Sequence, residues 1–85
     1  MFRVGPDTWG HVPPLPIISG QQCIALLAQF GYRVTRQKGS HVRLACEGRA
    51  PVTVPSHSTL KRGTLRAILR ATGISVDELL AVLAK

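Results

Sequence analysis

Hydrophobic residues first recur at helical spacing at Ile24, Leu27, Ala28 and Phe30. Ser19 precedes this stretch as a good N-cap and Gly31 follows it as a left-handed stop, which predicts a helix over residues 20–30. The period then falls to two. Three strand-like runs, Tyr32–Gln37, His41–Cys46 and Ala50–Val54, are separated by the Gly-centred loops Lys38-Gly39-Ser40 and Glu47-Gly48-Arg49. Paired residues must share a face, so the alternation tests the register. Three-residue loops set Leu44 opposite Val34 and Val52, and Val42 opposite Arg36 and Val54; a two-residue loop would set Arg43 against Val34 or Val52. The apolar face is then Tyr32, Val34, Val42, Leu44, Cys46, Val52 and Val54, with Arg36 snorkelling to the sheet edge. The opposite face carries Arg33, Thr35, Gln37, His41, Arg43 and Thr53, with His41 opposite Gln37. Helical spacing returns at Arg62–Thr72, with Leu65, Ile68 and Leu69 inward and Gly73 as stop. Ser75-Val76-Asp77-Glu78 is a capping box opening a last helix, whose stripe is Val76, Leu79, Leu80 and Leu83. The order α-β-β-β-α plus a terminal helix predicts an α+β fold: a three-stranded antiparallel sheet with helices on one face and the polar face open.

Residues 1–17 stand apart. Gly5, Pro6, Gly10, Pro13, Pro14 and Pro16 fall there without periodicity, which predicts an extended or flexible leader ahead of a domain at 18–85. Trp9 and His11 lie within it. Prolines interrupt its apolar stretch, so it does not read as a signal peptide, and no apolar run approaches the ~20 residues of a membrane span. The expected setting is the cytoplasm, with no membrane partner. A chain of 85 residues makes one small domain with a thin core, burying about 60% of the surface its unfolded form exposes. Any chemistry is expected on an open face.

Charge narrows the partner. Eleven Lys and Arg against four Asp and Glu give a net charge of +7, and eight of the eleven cations are Arg, whose planar fork takes phosphate bidentately. A polyanion such as nucleic acid, an anionic membrane or an acidic protein fits this balance. Cys23 and Cys46 are too few for a disulfide framework and read as two small core thiols. His11, His41 and His57 lack ligand spacing, so neither a metal site nor a cofactor is expected.

Candidate chemistry gathers at Gly39-Ser40-His41. A Gly turn lets phosphate approach the backbone, the Ser40 hydroxyl can donate to it, and His41 can move protons near neutrality. RNA cleavage needs little more, because the 2′-OH is its own nucleophile; Lys38, Gly39 and Arg43 are the phosphate-binding candidates around it. His57 follows Pro55 by two residues at the same sheet edge as His41, where it serves either as an acid or as a solvated loop histidine. Lys61, Arg62 and Arg66 mark the first turns of the second helix, either as phosphate ligands or as a solvated charged face.

The segments Leu15-Pro16-Ile17-Ile18-Ser19-Gly20, Phe30-Gly31-Tyr32, Arg36-Gln37-Lys38-Gly39-Ser40-His41, Val52-Thr53-Val54-Pro55-Ser56-His57, Lys61 to Leu69 and Gly73-Ile74 together resemble the HicA (YcfA-like) family. The resemblance covers about Leu15 to Ile74 in the family's order and spacing. It implies a double-stranded-RNA-binding-domain-like fold and the activity of an mRNA interferase, an endoribonuclease toxin that cuts mRNA without metal or cofactor. It further implies that His41 is catalytic and that a HicB-type antitoxin covers the active face, in a complex that can assemble to higher order. The leader before Leu15 is longer than the family's usual start. A non-catalytic module that binds double-stranded RNA is the alternative, and it would need the cations but not His41.

Overall fold

The computed structural model describes residues 15–84; the leader up to residue 14, with Trp9 and His11, lies outside the described residues. Three helices and three strands follow in the order α1 (Gly20–Gln29), β1 (Arg33–Lys38), β2 (His41–Cys46), β3 (Arg49–Pro55), α2 (Arg62–Thr72) and α3 (Val76–Leu83). This is the α+β order that the periodicity predicts.

Local chemistry explains the helix ends. At α1 a capping box closes: the Gln22 N–H donates to Ser19 Oγ at 3.0 Å, and the Ser19 N–H donates to Gln22 Oε1 at 2.8 Å. The same device opens α3 through Ser75 and Glu78, and its backbone hydrogen bond holds the Glu78 carboxyl below its ordinary range. Gly73 ends α2 in the left-handed region, at φ 77°.

The sheet is antiparallel in the order β1-β2-β3. Between β2 and β3 the expected register holds, with His41 opposite Pro55, Val42 opposite Val54, Arg43 opposite Thr53 and Leu44 opposite Val52. The turns differ from expectation. Lys38 pairs with His41 and Cys46 with Arg49, so each turn holds two residues, Gly39-Ser40 and Glu47-Gly48. A register shift in each pair, between Val34 and Arg36 and between Leu44 and Cys46, restores the apolar pairing.

In β1 this shift changes faces. Val34 still opposes Leu44, but Arg36 opposes Arg43, Gln37 opposes Val42, and Lys38 opposes His41. Arg36 therefore belongs to the open face instead of snorkelling from the apolar one, and Gln37 takes the inner position. The reason is burial: every residue of β1 is exposed, so nothing penalises the shift.

The core lies under β2 and β3. Val42, Leu44, Val52 and Val54 are buried against Leu27 of α1, Leu65 of α2 and Leu79 of α3. Val34, expected on that face, is 50% exposed because the helices cover the β2–β3 side and leave β1 bare. Ala28 of α1 is exposed, and Cys23 and Leu26 are buried in its place. Of the two thiols Cys23 is buried and Cys46 only partly. Leu15, which the pattern placed in the leader, packs half-buried against the core.

Both sheet edges resist further pairing. The Ser56 N–H donates to the Ser40 carbonyl at 2.6 Å, which sets the phase of the β2–β3 ladder. Val52 and Val54 then face β2 with their backbone groups, while Pro51, Thr53 and Pro55 turn theirs outward. Two of those three have no N–H to offer. The β1 edge carries Arg33, Arg36 and Lys38 and the bulge, all of which discourage strand addition.

Candidate functional site

The outer sheet face is a row of paired positions. At one end His41 stands between Lys38 on β1 and Pro55 on β3; the sequence reading had set Gln37 there. The next same-face step sets Arg43 between Arg36 and Thr53, and beyond it Arg33 opposes Ala45. His41, Lys38, Arg36, Arg43 and Arg33 are all exposed, and among the described residues no helix covers this face. The described acids, Glu47, Asp77 and Glu78, lie in the β2–β3 turn and on α3, so none sits on a strand. Arg43 Nη1 donates to Thr53 Oγ1 at 3.3 Å, drawing one side of its guanidinium toward β3.

Gly39 makes the approach to His41 possible. Its φ of 59° suits the first central position of a two-residue hairpin turn, and a Cβ added there would meet nothing within 4 Å. Gln37 Nε2 donates to the Gly39 carbonyl at 3.1 Å and braces the turn from β1. Ser40 is half-buried, with its carbonyl taken up by the Ser56 N–H.

The segment Pro55–His57 is held in place by α1. The Gly20 N–H donates to the His57 carbonyl at 2.8 Å, and Gln21 Nε2 donates to Ser56 Oγ at 2.8 Å. Gly20 is buried against this backbone; a Cβ there would overlap the Pro55 carbonyl and lie 2.8 Å from Ser56 Cα. His57 is exposed, and its main chain is fixed at the end of the sheet that carries His41.

Lys61 is the N-cap of α2. It makes no side-chain capping bond, and no acid lies in the first turn. The helix therefore presents N–H groups and a positive dipole end beside Lys61 and Arg62, which suits an anion. Between α2 and the β3 edge runs an open groove of about 710 Å³, with Val52 and Ile68 among its apolar lining and Thr53, Lys61 and Thr64 as its polar groups. Thr53 thus joins the groove to Arg43 on the sheet face. Arg62, Arg66 and Arg70 follow at i+4 spacing on α2, and none of them lines the groove. Arg66 is exposed and, unlike Lys61, is not brought to the groove.

The sequence reading missed two contributors. Arg36 was hidden by the bulge; the absence of an apolar residue after Val34 in β1 was the signal that its register was loosely held. Gly20 looked like an ordinary residue after an N-cap, and only the close approach of Pro55–His57 gives it a task. Among the described residues no three His, Cys, Asp or Glu side chains gather to hold a metal ion, and no helix is long and apolar enough to cross a membrane.

Comparison with known proteins agrees with this fold. No curated protein matches the chain. A chain from a solved toxin–antitoxin complex of Streptococcus pneumoniae is 31% identical; the match covers 67% of this chain and 98% of that one, at a TM-score of 0.60. The family model described as the HicA toxin of bacterial toxin–antitoxin matches residues 20–74, a span from the start of α1 through Ile74 that takes in the whole sheet. This chain therefore belongs to the HicA toxin family of bacterial toxin–antitoxin modules.

Proposed function

We propose that this protein is the toxin of a type II toxin–antitoxin module and an endoribonuclease that cuts mRNA in the cytoplasm with His41, without metal or cofactor. The observation that carries the reading is the composition of the open sheet face: His41 beside Lys38, one step from Arg36 and Arg43, with none of the described acids on a strand. Such a face attracts a polyanion and offers one group able to move protons at neutral pH.

In this mechanism the scissile phosphate lies against the Gly39-Ser40 turn, with Lys38 across from His41 and Arg43 one same-face step further along the RNA backbone. His41 accepts the proton of the ribose 2′-OH. The 2′ oxygen forms a new bond to phosphorus, the bond from phosphorus to the 5′ oxygen breaks, and a proton goes to that departing oxygen. The products are a 2′,3′-cyclic phosphate and a 5′-hydroxyl. Lys38 stabilises the charge that grows on the phosphoryl oxygens, and Arg43 adds to the positive field from the next position on the face. His57, whose main chain is tethered through Gly20, is proposed as the acid that supplies the second proton or as its support, with Ser40 as a further hydroxyl beside the phosphate. Lys61, Arg62 and the α2 dipole hold a flanking stretch of backbone, with Arg66 adding to the field from further along the helix.

Among the described residues nothing covers His41, so control comes from outside. A HicB-type antitoxin docking on the sheet face covers His41, and higher-order toxin–antitoxin assembly is built on that contact. Its docking surface is acidic, which makes association fast and salt-sensitive. The chemistry is tested with an RNA oligonucleotide bearing one 2′-deoxy residue at the position cut in the all-ribose strand. Cleavage there stops, and the all-ribose products end in cyclic phosphate. Cutting that ignores the 2′-deoxy substitution overturns the mechanism. RNA that binds tightly but is never cut would favour the binding-module alternative.

A further inference from the structure

We propose that Arg36 and Arg43 together hold a second backbone phosphate of the RNA, the neighbour of the one set against His41. The subsite rests on the reading of the sheet face as the RNA-facing surface.

The bulge between Val34 and Arg36 creates it. Without that shift Arg36 would point inward opposite Val42; with it, Arg36 stands directly across from Arg43. Opposed residues of an antiparallel pair have Cα atoms about 5 Å apart, and like charges so placed destabilise the sheet. Among the described residues no strand carries an acid to relieve the pair. Arg49 provides the contrast, since its guanidinium donates to the Thr72 carbonyl at 2.6 Å and stacks 5.8 Å over Phe30. That arginine is spent on the fold. Arg36 makes no side-chain hydrogen bond among the described residues, whereas Arg43 is steadied from the far side by Thr53 at 3.3 Å. The Thr35 hydroxyl donates to the Arg43 carbonyl at 3.3 Å, which ties the bulge to the strand it faces. Two guanidinium-bearing side chains thus rise from opposed positions on the open face, where each fork can take phosphate oxygens in pairs. Those positions lie one same-face step from Lys38 and His41, about 6.6 Å along the strands. Arg33 continues the row.

The test uses the full chain carrying His41→Ala, so that RNA is bound and not consumed, with a single-stranded RNA octamer of mixed sequence as probe. Affinity is measured between 50 and 200 mM salt in that background alone and with Arg36→Gln, Arg43→Gln, both changes, or Arg70→Gln. Loss of one phosphate contact lowers the slope of log affinity against log salt by about 0.7, so that raising salt across this range weakens binding about 2.5-fold less than in the parent. Arg36→Gln and Arg43→Gln each show this drop. The pair together shows little more than either alone, because both hold one phosphate. Arg70→Gln, on the helix flank, shows less than half of it. An unchanged slope for Arg36→Gln, an additive drop near 1.4 for the pair, an equal drop for Arg70→Gln, or no RNA binding at all overturns the subsite. Arg36→Gln also melts no lower than its parent in anion-poor buffer, since it relieves a like-charge pair; a lower melting temperature would mean that Arg36 supports the fold instead. The two readings fail separately. A wild-type chain that never cuts RNA, with the slopes as expected, overturns the proposed activity and leaves the subsite standing. A chain that cuts RNA but whose slope ignores Arg36 does the reverse.

Discussion

Gly20→Ala is the smallest change that strains both the fold and the site. The added Cβ would overlap the Pro55 carbonyl and lie 2.8 Å from Ser56 Cα and 3.0 Å from the His57 nitrogen. All three are backbone atoms, so no rotamer change relieves the contact, and either α1 or the Pro55–His57 segment must move. Overpacking of this kind costs about 1–3 kcal/mol. Loosening the 2.8 Å bond from Gly20 N–H to the His57 carbonyl adds about 0.5–1.5 kcal/mol. Against this stands the higher helix propensity of Ala, worth at most about 1 kcal/mol and less at the first residue of a helix. The net loss is about 2 kcal/mol. In a domain of this size each kcal/mol moves the melting temperature by about 4–8 °C, so the expected drop is roughly 10 °C. Thermal unfolding followed by circular dichroism measures it. RNA cleavage, assayed well below the lowered midpoint, should also fall, because the displaced segment carries Ser56 and His57 beside His41. A Gly20→Ala protein that melts with or above wild type would refute the close-approach argument and remove the reason for glycine at this position.

Four further outcomes follow from packing and charge. Burial pushes the Cys23 thiol from its ordinary 9.0 up to about 11, so the unfolded chain gives up this proton first. Stability falls as pH rises from about 9 to 11 and levels beyond, and Cys23→Ala flattens that fall in urea titrations at stepped pH. In the folded protein at pH 8 a thiol reagent should label the partly exposed Cys46 well before the buried Cys23, read by mass spectrometry. Leu44→Ala costs about 2–5 kcal/mol in urea unfolding, whereas Val34→Thr, on the bare part of the same face, stays within about 0.5 kcal/mol. Lys61→Ala with Arg62→Ala lowers RNA affinity similarly for unrelated sequences and flattens its salt dependence; an unchanged slope would place the phosphates elsewhere.

Legibility in the sequence followed burial. β2 and β3 have one face sealed under helices, so a slip of one residue would expose Val42, Leu44, Val52 and Val54 together; alternation alone found their register and the His41–Pro55 pair. The caps at Ser19 and Ser75 and the stop at Gly73 were readable because each depends on one residue and its near neighbours. β1 was not. After Val34 its residues are Thr35, Arg36, Gln37 and Lys38, all exposed, and no apolar residue marks which way each should point. A bulge there costs little, and it moved Arg36 into the candidate site and Gln37 out. The task of Gly20 was equally hidden, since it depends on a contact with residues 35 or more positions away in the chain. The candidate site was therefore legible where it sits on the buried-face strands and illegible where it sits on the edge.

The central claim is that the open face of the sheet cuts RNA through His41. The direct measurement is the single-turnover cleavage rate of one RNA oligonucleotide by wild-type and His41→Ala protein at equal concentration, with melting temperature and RNA affinity measured on the same samples. His41 is exposed and no core side chain rests on it, so the variant should melt with the wild type and bind RNA within a few-fold. Its cleavage rate should fall by about 10²–10⁴, the range that a positioned proton-transfer group supplies. A His41→Ala protein that remains folded and cuts within twofold of the wild-type rate would contradict the account.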